Sequence, residues 1–410
     1  MSEWREYRLD EIGQVVGGGT PSSKVNAYWN GDVGWVTPAD LSGYQFKHIG
    51  NGSRDITELG LKKSSAKLHP KNTVLMTSRA PIGYLAIADK PVATNQGFQS
   101  IRCNEDIADF NFIYYLLGAY KEGIALIASG ATFPEVSGGK VRQYKIKLPP
   151  LPTQQKIAKI LSNYDDLIEN NLKRIKLLEE SARLTYEEWF LRFRVDDKKL
   201  DIDAATNLPF GWEYSGLNNI STFTNGYAFK SKDFVEYGHP VIKIKNIDGK
   251  MVDVHNTNRI SANDVLKVND KFKLHEGDLL IAMTGATVGK LGFVPYSNDA
   301  CYLNQRVGKI QSEYLFFTFL ALSGTSGQKQ ILNFAGGAAQ PNISGDQILA
   351  VKNIIPAKDI LDKFELLSNN ALSQILNFTR KNQLLKEARD ILLPRLMTGM
   401  IDTDDMDIAV

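Results

Sequence analysis

Two stretches of the chain run for about forty residues without Pro or Gly, and in both apolar residues return every three or four positions. In the first, about Thr153 to Phe193, Ile157, Leu161, Tyr164, Ile168, Ile175, Leu178, Ala182 and Trp189 follow alternating steps, one of them spanning Asn171. That spacing predicts a helix with a heptad seam. In the second, about Ala357 to Leu393, Ile360, Phe364, Leu367, Ala371, Ile375, Phe378, Leu385, Ala388 and Leu392 share one broad face, and Gly399 follows as a stop. Pro-marked boundaries, Lys147–Pro152 and Ile354–Pro356, precede both. A helix of roughly 40 residues is about 60 Å long, more than a small domain needs for its own core, so each is expected to pack on the other.

The remaining stretches, Trp4 to about Leu148 and Trp212 to about Ile355, lack that period. They are rich in Gly, Asn, Thr and aromatics and contain short β-type runs at Gly34–Thr37, Pro240–Ile244 and Asp278–Met283. Each has a short helical run near its end, Asn111–Leu117 and Ser312–Leu322. The order is globule, helix, globule, helix, with boundaries at 1–150, 151–195, 196–355 and 356–410.

One unit is written twice. Val74–Ala88 followed by Thr94–Ile101 returns as Leu280–Val294 followed by Leu303–Ile310, with Gly83 and Gly289 206 positions apart and Asn95 and Asn304 209 apart. Ser129–Val141 returns as Gly336–Ile348, with Pro134 over Pro341 and Ser137 over Ser344. The expected fold class is therefore α+β: two pseudo-repeated α/β, largely β globules joined by two long antiparallel coiled-coil helices. Such a chain acquires a pseudo-twofold axis, with the globules at opposite ends of the helical pair.

Composition narrows the function. With 410 residues, 43% hydrophobic, the chain can build two or three domains and is no disordered polymer. Its 48 basic against 46 acidic side chains leave a net charge of +2, so any nucleic-acid role must rest on local patches. Cys103 and Cys301 have no CxxC partner and read as reduced core residues. The polar N-terminus and the lack of an 18-residue apolar window give no signal peptide and no membrane helix, so a cytoplasmic protein is expected.

Catalytic constellations are missing. Gly285–Gly292 resembles a phosphate loop but has three residues between its glycines and Leu291 where Ser or Thr would reach Mg²⁺. The glycines of Val15–Pro21 do not form GxGxxG. The five His (His48, His69, His239, His255, His275) show no HExxH and no i, i+4 pair, so no metal is expected and they read as surface or turn residues. Neither a GxSxG elbow nor an NPP or DPP followed by Tyr or Phe occurs.

Four strings, Gly17–Leu41 (GGGTPSSKVNAYWNGDVGWVTPADL), Ser78–Phe98 (SRAPIGYLAIADKPVATNQGF), Leu148–Asn171 (LPPLPTQQKIAKILSNYDDLIENN) and Leu392–Asp402 (LLPRLMTGMID), occur in order together with the duplication. On these the chain resembles the specificity subunit of type I restriction-modification systems over nearly its whole length. The resemblance implies two target recognition domains, each reading one half of a bipartite double-stranded DNA target, and two conserved helical spacers that set the gap. It implies two modification subunits, which methylate adenine with S-adenosylmethionine, and two restriction subunits, which use ATP and Mg²⁺. The chain itself would then hold no cofactor and catalyse nothing, consistent with the missing motifs. A spacer of about 60 Å spans roughly 17 base pairs. The second copy departs from the pattern at Thr224–Phe234, where the GGTP-like start is replaced.

Hydrogen-bonding and cationic side chains in Gly-rich loops at repeat-equivalent positions are the candidate DNA contacts. In the first globule these are Thr20, Lys24, Ser78, Arg79, Asn95, Gln96 and Thr132. In the second they are Lys230, Lys232, Thr284, Thr287, Lys290, Asn304, Gln305, Arg306 and Asn342. The Asn-Gln pair recurs in both copies and so suits common work, a turn or a phosphate contact. Arg79 stands over Gly285, a difference that suits sequence reading; the alternative is a surface arginine. Phe133 over Ala339 could meet a thymine methyl or fill the core. Tyr28, Trp29 and Trp35 read as core aromatics.

On the helices, Asn171 is either a buried register-setting residue or a solvated edge. Asp165, Asp166, Glu169, Lys173, Arg174 and Lys176 read as solvated faces or a docking site for the modification subunit. Trp189 and Phe190 either cap the helix pair or receive a partner. Two other functions stay open: a coiled-coil scaffold whose globules bind partners other than DNA, and a fused methyltransferase.

Overall fold

The computed structural model describes residues 3–79, 81–130, 134–247, 249–336 and 341–403. The chain divides into two compact units, Met1–Asn170 with Gln383–Val410, and Asn171–Asn382. Each unit holds one globule and a stretch of both long helices.

In the first unit, strand Arg5–Arg8 pairs antiparallel with Lys145–Leu148, Arg5 opposite Leu148, and this clasp closes the globule just before the central helix. A five-stranded sheet runs in the order Gly13–Gly17, Gln99–Cys103, Val74–Met76, Leu85–Ala88, His48–Ile49. A three-stranded sheet places Val92–Thr94 between the parallel strand Trp29–Val36 and the antiparallel Leu68–His69. The second unit repeats the core of these pairings, with a single Met251–Phe293 bridge in place of the His48–Ile49 strand and with Asn258–Ile260 and Phe234–Val235 added beside His239–Ile242. Glu213–Gly216 clasps Lys352–Ile355, and a sheet runs Ser221–Asn225, Val307–Ser312, Leu279–Ala282, Leu291–Phe293. Cys301–Leu303 lies between the parallel His239–Ile242 and the antiparallel Lys273–Leu274. The duplication in the sequence is a duplication of strand pairing.

Continuous apolar runs form the central strands because each strand serves two cores. Val74 and Met76 face the helices Phe110–Ala119 and Lys121–Leu126, while Leu75, between them, enters a second cluster with Val36, Ala86 and Phe98. Leu279 and Ile281 likewise pack with the helix Leu315–Ser323, and Leu280 with Ile242 and Val307. An alternating strand buried on both faces shows no polar period. Ser137 and Ser344 cap the short helices Gly138–Arg142 and Gly345–Leu349, the latter with Gln347 completing a capping box.

The central helix covers Leu151–Tyr186 and ends in a wider π-type turn, Glu187–Leu191. The C-terminal helix runs Lys358–Met397 through Pro394, four residues beyond the end expected from the pattern. Pro394 sits in the last turn, where little of the helix remains to be broken. Gly399 then takes φ +70° beside the Trp4 ring, where the helix has ended.

Within each unit the two helices pack antiparallel. In the first, Asp165 Oδ1 accepts from Arg389 Nη1 at 2.5 Å, and Ile157 and Leu161 share a core with Leu396 and Met397. In the second, Asn171 Nδ2 donates to Asn382 Oδ1 at 2.8 Å, both side chains buried, and Arg174 lies over the Phe378 ring. Asn171 is thus the buried alternative.

Three expectations need correction. Leu367 is 52% exposed, because the C-terminal helix buries Leu361, Phe364, Ser368 and Leu372 instead. Asp165 and Glu169 form no solvated face, since the globule grips them. Tyr115 Oη donates to Asp165 at 2.5 Å, and Lys47 N donates to Glu169 Oε1 at 2.8 Å. Ser312 ends a strand rather than starting a helix, which begins at Leu315.

Candidate nucleic-acid interface

In each globule the chain leaves the two sheets through three loops that converge beside the Asn-Gln turn. In the first, Asn95 follows the strand Val92–Thr94, and its Oδ1 accepts from Gly97 N at 2.8 Å, folding the turn back on itself. Gly18 passes so close that a Cβ there would lie 2.1 Å from Asn95 O, so the position admits only glycine. The following Thr20 then donates to Gln96 Oε1. The third loop arrives from the strand Val74–Met76, with Ser78 N donating to Gly97 O at 2.8 Å and Val136 N to Ser78 O at 2.9 Å. Thr20, Ser78, Asn95 and Gln96 are therefore one cluster, and Arg79 borders it, 3.7 Å from Glu135.

The second globule builds the same junction from different residues. Gly226 would place a Cβ 2.0 Å from Asn304 O. Tyr227 N donates to Leu303 O at 2.9 Å and Gln305 N to Tyr227 O at 2.8 Å, stitching that loop to the turn. Met283 N donates to Arg306 O at 3.0 Å, while Thr284 pairs across to Asn342. The Gly285–Thr287 helical turn that follows explains the phosphate-loop-like string as a structural corner.

Exposure sorts the candidates. Thr20, Lys24, Gln96, Lys230, Lys232, Lys290, Gln305, Arg306 and Asn342 are exposed; Arg79, Asn95, Thr284 and Thr287 are half-buried. Ser78 and Asn304 are buried and act within the junction. Thr132, with Phe133 and Ala339, lies outside the described residues. The hydroxyls of Ser78 and Thr284, equivalent positions of the repeat, are buried with no hydrogen-bond partner among the described residues. Lys24 sits in the loop beyond Thr20, and among the described residues no hydrogen bond or ion pair ties it to the cluster. Trp29 and Trp35 are core residues, edge to face at 5.1 Å.

Several residues at these junctions escaped the sequence reading. His69, expected at the surface or in a turn, is instead fully buried behind the first turn: its Nε2 lies 3.4 Å from Thr94 Oγ1, and burial, with Arg102 nearby, pulls its pKa down to about 4. Asp40 accepts from Thr37 N at 2.8 Å, where Asn246 accepts from Lys243 N at 3.0 Å in the second globule. Burial and the neighbouring Lys245 lower the Lys243 pKa, and its Nζ stands 3.8 Å over the Phe234 ring. Tyr227, Phe229 and Phe272 form an aromatic trio, at 4.9 Å and 5.4 Å from the Tyr227 ring. The available signal was an aromatic in one copy of the repeat where the other has glycine.

Among the described residues no group of three or more His, Cys, Asp or Glu is arranged to hold a metal, and no helix is long and apolar enough to cross a membrane. Burial pushes the Cys103 thiol up to about 12, and both cysteines are free.

The family model for the type I restriction modification DNA specificity domain matches residues 1–180 and 209–386. The type I restriction enzyme MjaIX specificity subunit of Methanocaldococcus jannaschii is 32% identical over 415 residues, covering 98% of this chain and 95% of that protein. The HindI specificity subunit of Haemophilus influenzae is 24% identical over 98% of this chain and all of its own length (100%). In three dimensions the S subunit of a type I restriction-modification system from M. genitalium is similar, with a TM-score of 0.61 at 17% identity over 96% of both chains.

Proposed function

Because the chain belongs to the family of type I restriction-modification DNA specificity subunits, we propose that each of its globules reads one half of a split target and that the helices set the gap. The observation that carries this is the pair of junctions. The same core strand pairings and the same glycine-backed Asn-Gln turn occur twice, yet the side chains around the shared Gln differ: exposed Thr20 and half-buried Arg79 in one, exposed Tyr227, Lys230 and Arg306 in the other. A duplicated scaffold with changed tips suits two half-sites of different sequence.

The junctions offer what duplex DNA requires. Lys and Arg meet phosphates, the Gln amides present donors and acceptors to base edges, and rigid turns hold both in place. The helices supply a ruler: the 36-residue central helix is about 54 Å long at about 1.5 Å per residue. Leu177, Leu184 and Leu366 stand exposed on the helices, which supports docking of partner subunits there. In this reading two modification subunits methylate adenine, two restriction subunits complete the complex, and S-adenosylmethionine, ATP and Mg²⁺ bind to them rather than to this chain.

The test is co-expression with a modification subunit and mapping of methylated adenine across a genome by single-molecule sequencing. A split motif with a fixed gap is expected. Exchanging residues 212–355 for another recognition domain should replace one half only, and inserting Gly or Pro into the central helix should alter the gap alone. A complex that forms but methylates nothing, and whose DNA affinity does not fall with salt, would instead favour the scaffold function.

A further inference from the structure

Tyr227 occupies the point at which the two junctions differ most. In the first globule the equivalent Gly19 is closed in: a Cβ there would lie 2.3 Å from Ser65 Oγ and 2.4 Å from Ala66 N, and Gly19 O accepts from the buried Trp35 indole at 3.0 Å. In the second globule this place is open. The Tyr227 ring is 36% exposed and rests on Phe229 and Phe272, with Lys271 over the Phe272 ring. Its backbone exchanges hydrogen bonds with Leu303 and Gln305, so the ring is held on the Asn-Gln turn rather than on a free loop. Lys271 lies over the neighbouring Phe272 ring, Arg306 follows the Gln305 that bonds Tyr227, and Lys230 and Lys232 follow Tyr227 in the same loop; all four are exposed.

A pre-positioned apolar ring framed by cations matches a particular feature of duplex DNA. Of the four bases only thymine shows an apolar group, its 5-methyl, in the major groove, and it does so beside phosphates that cations can hold. A ring whose backbone is already fixed loses little entropy on contact. Resting on the DNA-reading function above, we propose that Tyr227 is a specificity-determining residue of the second globule, which reads a thymine 5-methyl edge in its half-site by apolar contact, with Lys230, Lys271 and Arg306 on the flanking phosphates. At the equivalent position the first globule has Gly19, so among its described residues that junction offers hydrogen-bonding side chains rather than a ring.

The experiment uses the chain assembled with its modification subunits and a duplex carrying the mapped split target, with each thymine replaced in turn by uracil, which lacks only the methyl. Specific binding of the unmodified duplex is measured first, and its absence overturns the DNA-reading function itself. Given that binding, one thymine of the second half-site should weaken it about fourfold on replacement, the worth of one buried methyl. Tyr227→Gln should bind both duplexes equally, while Tyr227→Phe should keep the fourfold difference. Uracil effects in the first half-site should be the same in all three proteins. A second half-site without thymine, a neutral response to uracil throughout it, or a fourfold difference that survives in Tyr227→Gln each overturns the proposal.

Discussion

Lys47 and Lys250 hold the same place in the two halves: the amide of Ile87 bonds to Lys47 O at 2.8 Å, and that of Phe293 to Lys250 O at 2.9 Å. Both reach the central helix. Lys47 is 5% exposed, with Nζ 2.9 Å from Ser162 Oγ, whereas Lys250 meets Glu179 at 2.5 Å in the open. The helix seams differ in the same sense, a charged Asp165–Arg389 pair with Tyr115 in the first unit and a neutral Asn171–Asn382 pair in the second. Burial and the Asp165 charge push the Tyr115 hydroxyl up, so it stays a donor. Even the small sheets differ, with His69 in the first where the second has Leu274. One backbone plan thus tolerates polar and apolar solutions, and at Lys47, Asp165 and Asn171 the buried polar groups are partnered.

The largest break in this comparison should come from Asp165→Ala. It leaves the partly buried Arg389 guanidinium with Asp390 as its remaining carboxylate and takes the acceptor from the buried Tyr115 hydroxyl, and should cost the first unit about 3 kcal/mol, read as a lower denaturation midpoint. Next is acid. The unfolded His69 takes up a proton near its ordinary 6.5, while the folded side chain resists until about 4. The first unit therefore keeps its stability above pH 6.5 and loses up to about 3 kcal/mol as pH falls from there to 4. His69→Leu, the second globule's solution, should flatten that slope, and a slope that persists would assign it elsewhere.

Smaller effects sharpen the same contrast. Asn171→Leu alone leaves Asn382 facing an apolar neighbour and should cost about 1–3 kcal/mol, whereas Asn171→Leu with Asn382→Leu should recover most of it at some loss of helix register. Thermal melts of the single and double variants decide this. Finally, Lys47→Ala should cost about 1–2 kcal/mol and Lys250→Ala less than about 1, since the exposed pair is screened by water. Equal costs would mean that burial does not set the difference.

Much of this architecture was legible in the chain. The two Pro- and Gly-free stretches marked the long helices, because helix period and breakers are local properties of sequence. The duplication was legible too, since equivalent strands reuse the same apolar runs and the same Ser caps, as at Ser137 and Ser344. The Asn-Gln turns were found because both copies keep them, and the family followed from the order of its strings.

Tertiary packing decided the rest. Nothing in the heptad pattern tells Leu367 from Ser368, yet the first is exposed and the second buried, because the seam is chosen by the facing helix. Asp165 reads as a surface acid until Tyr115 and Arg389, 50 and 224 positions away, enclose it. Tyr227 reads as one aromatic among many until Gly226 and the Asn304 turn fix it at the rim of a cationic patch. Local periodicity specifies elements. Which faces meet, and which side chains are left pointing outward, depends on contacts between residues far apart in the chain, and these exist only once the two sheets and the helices have closed on one another.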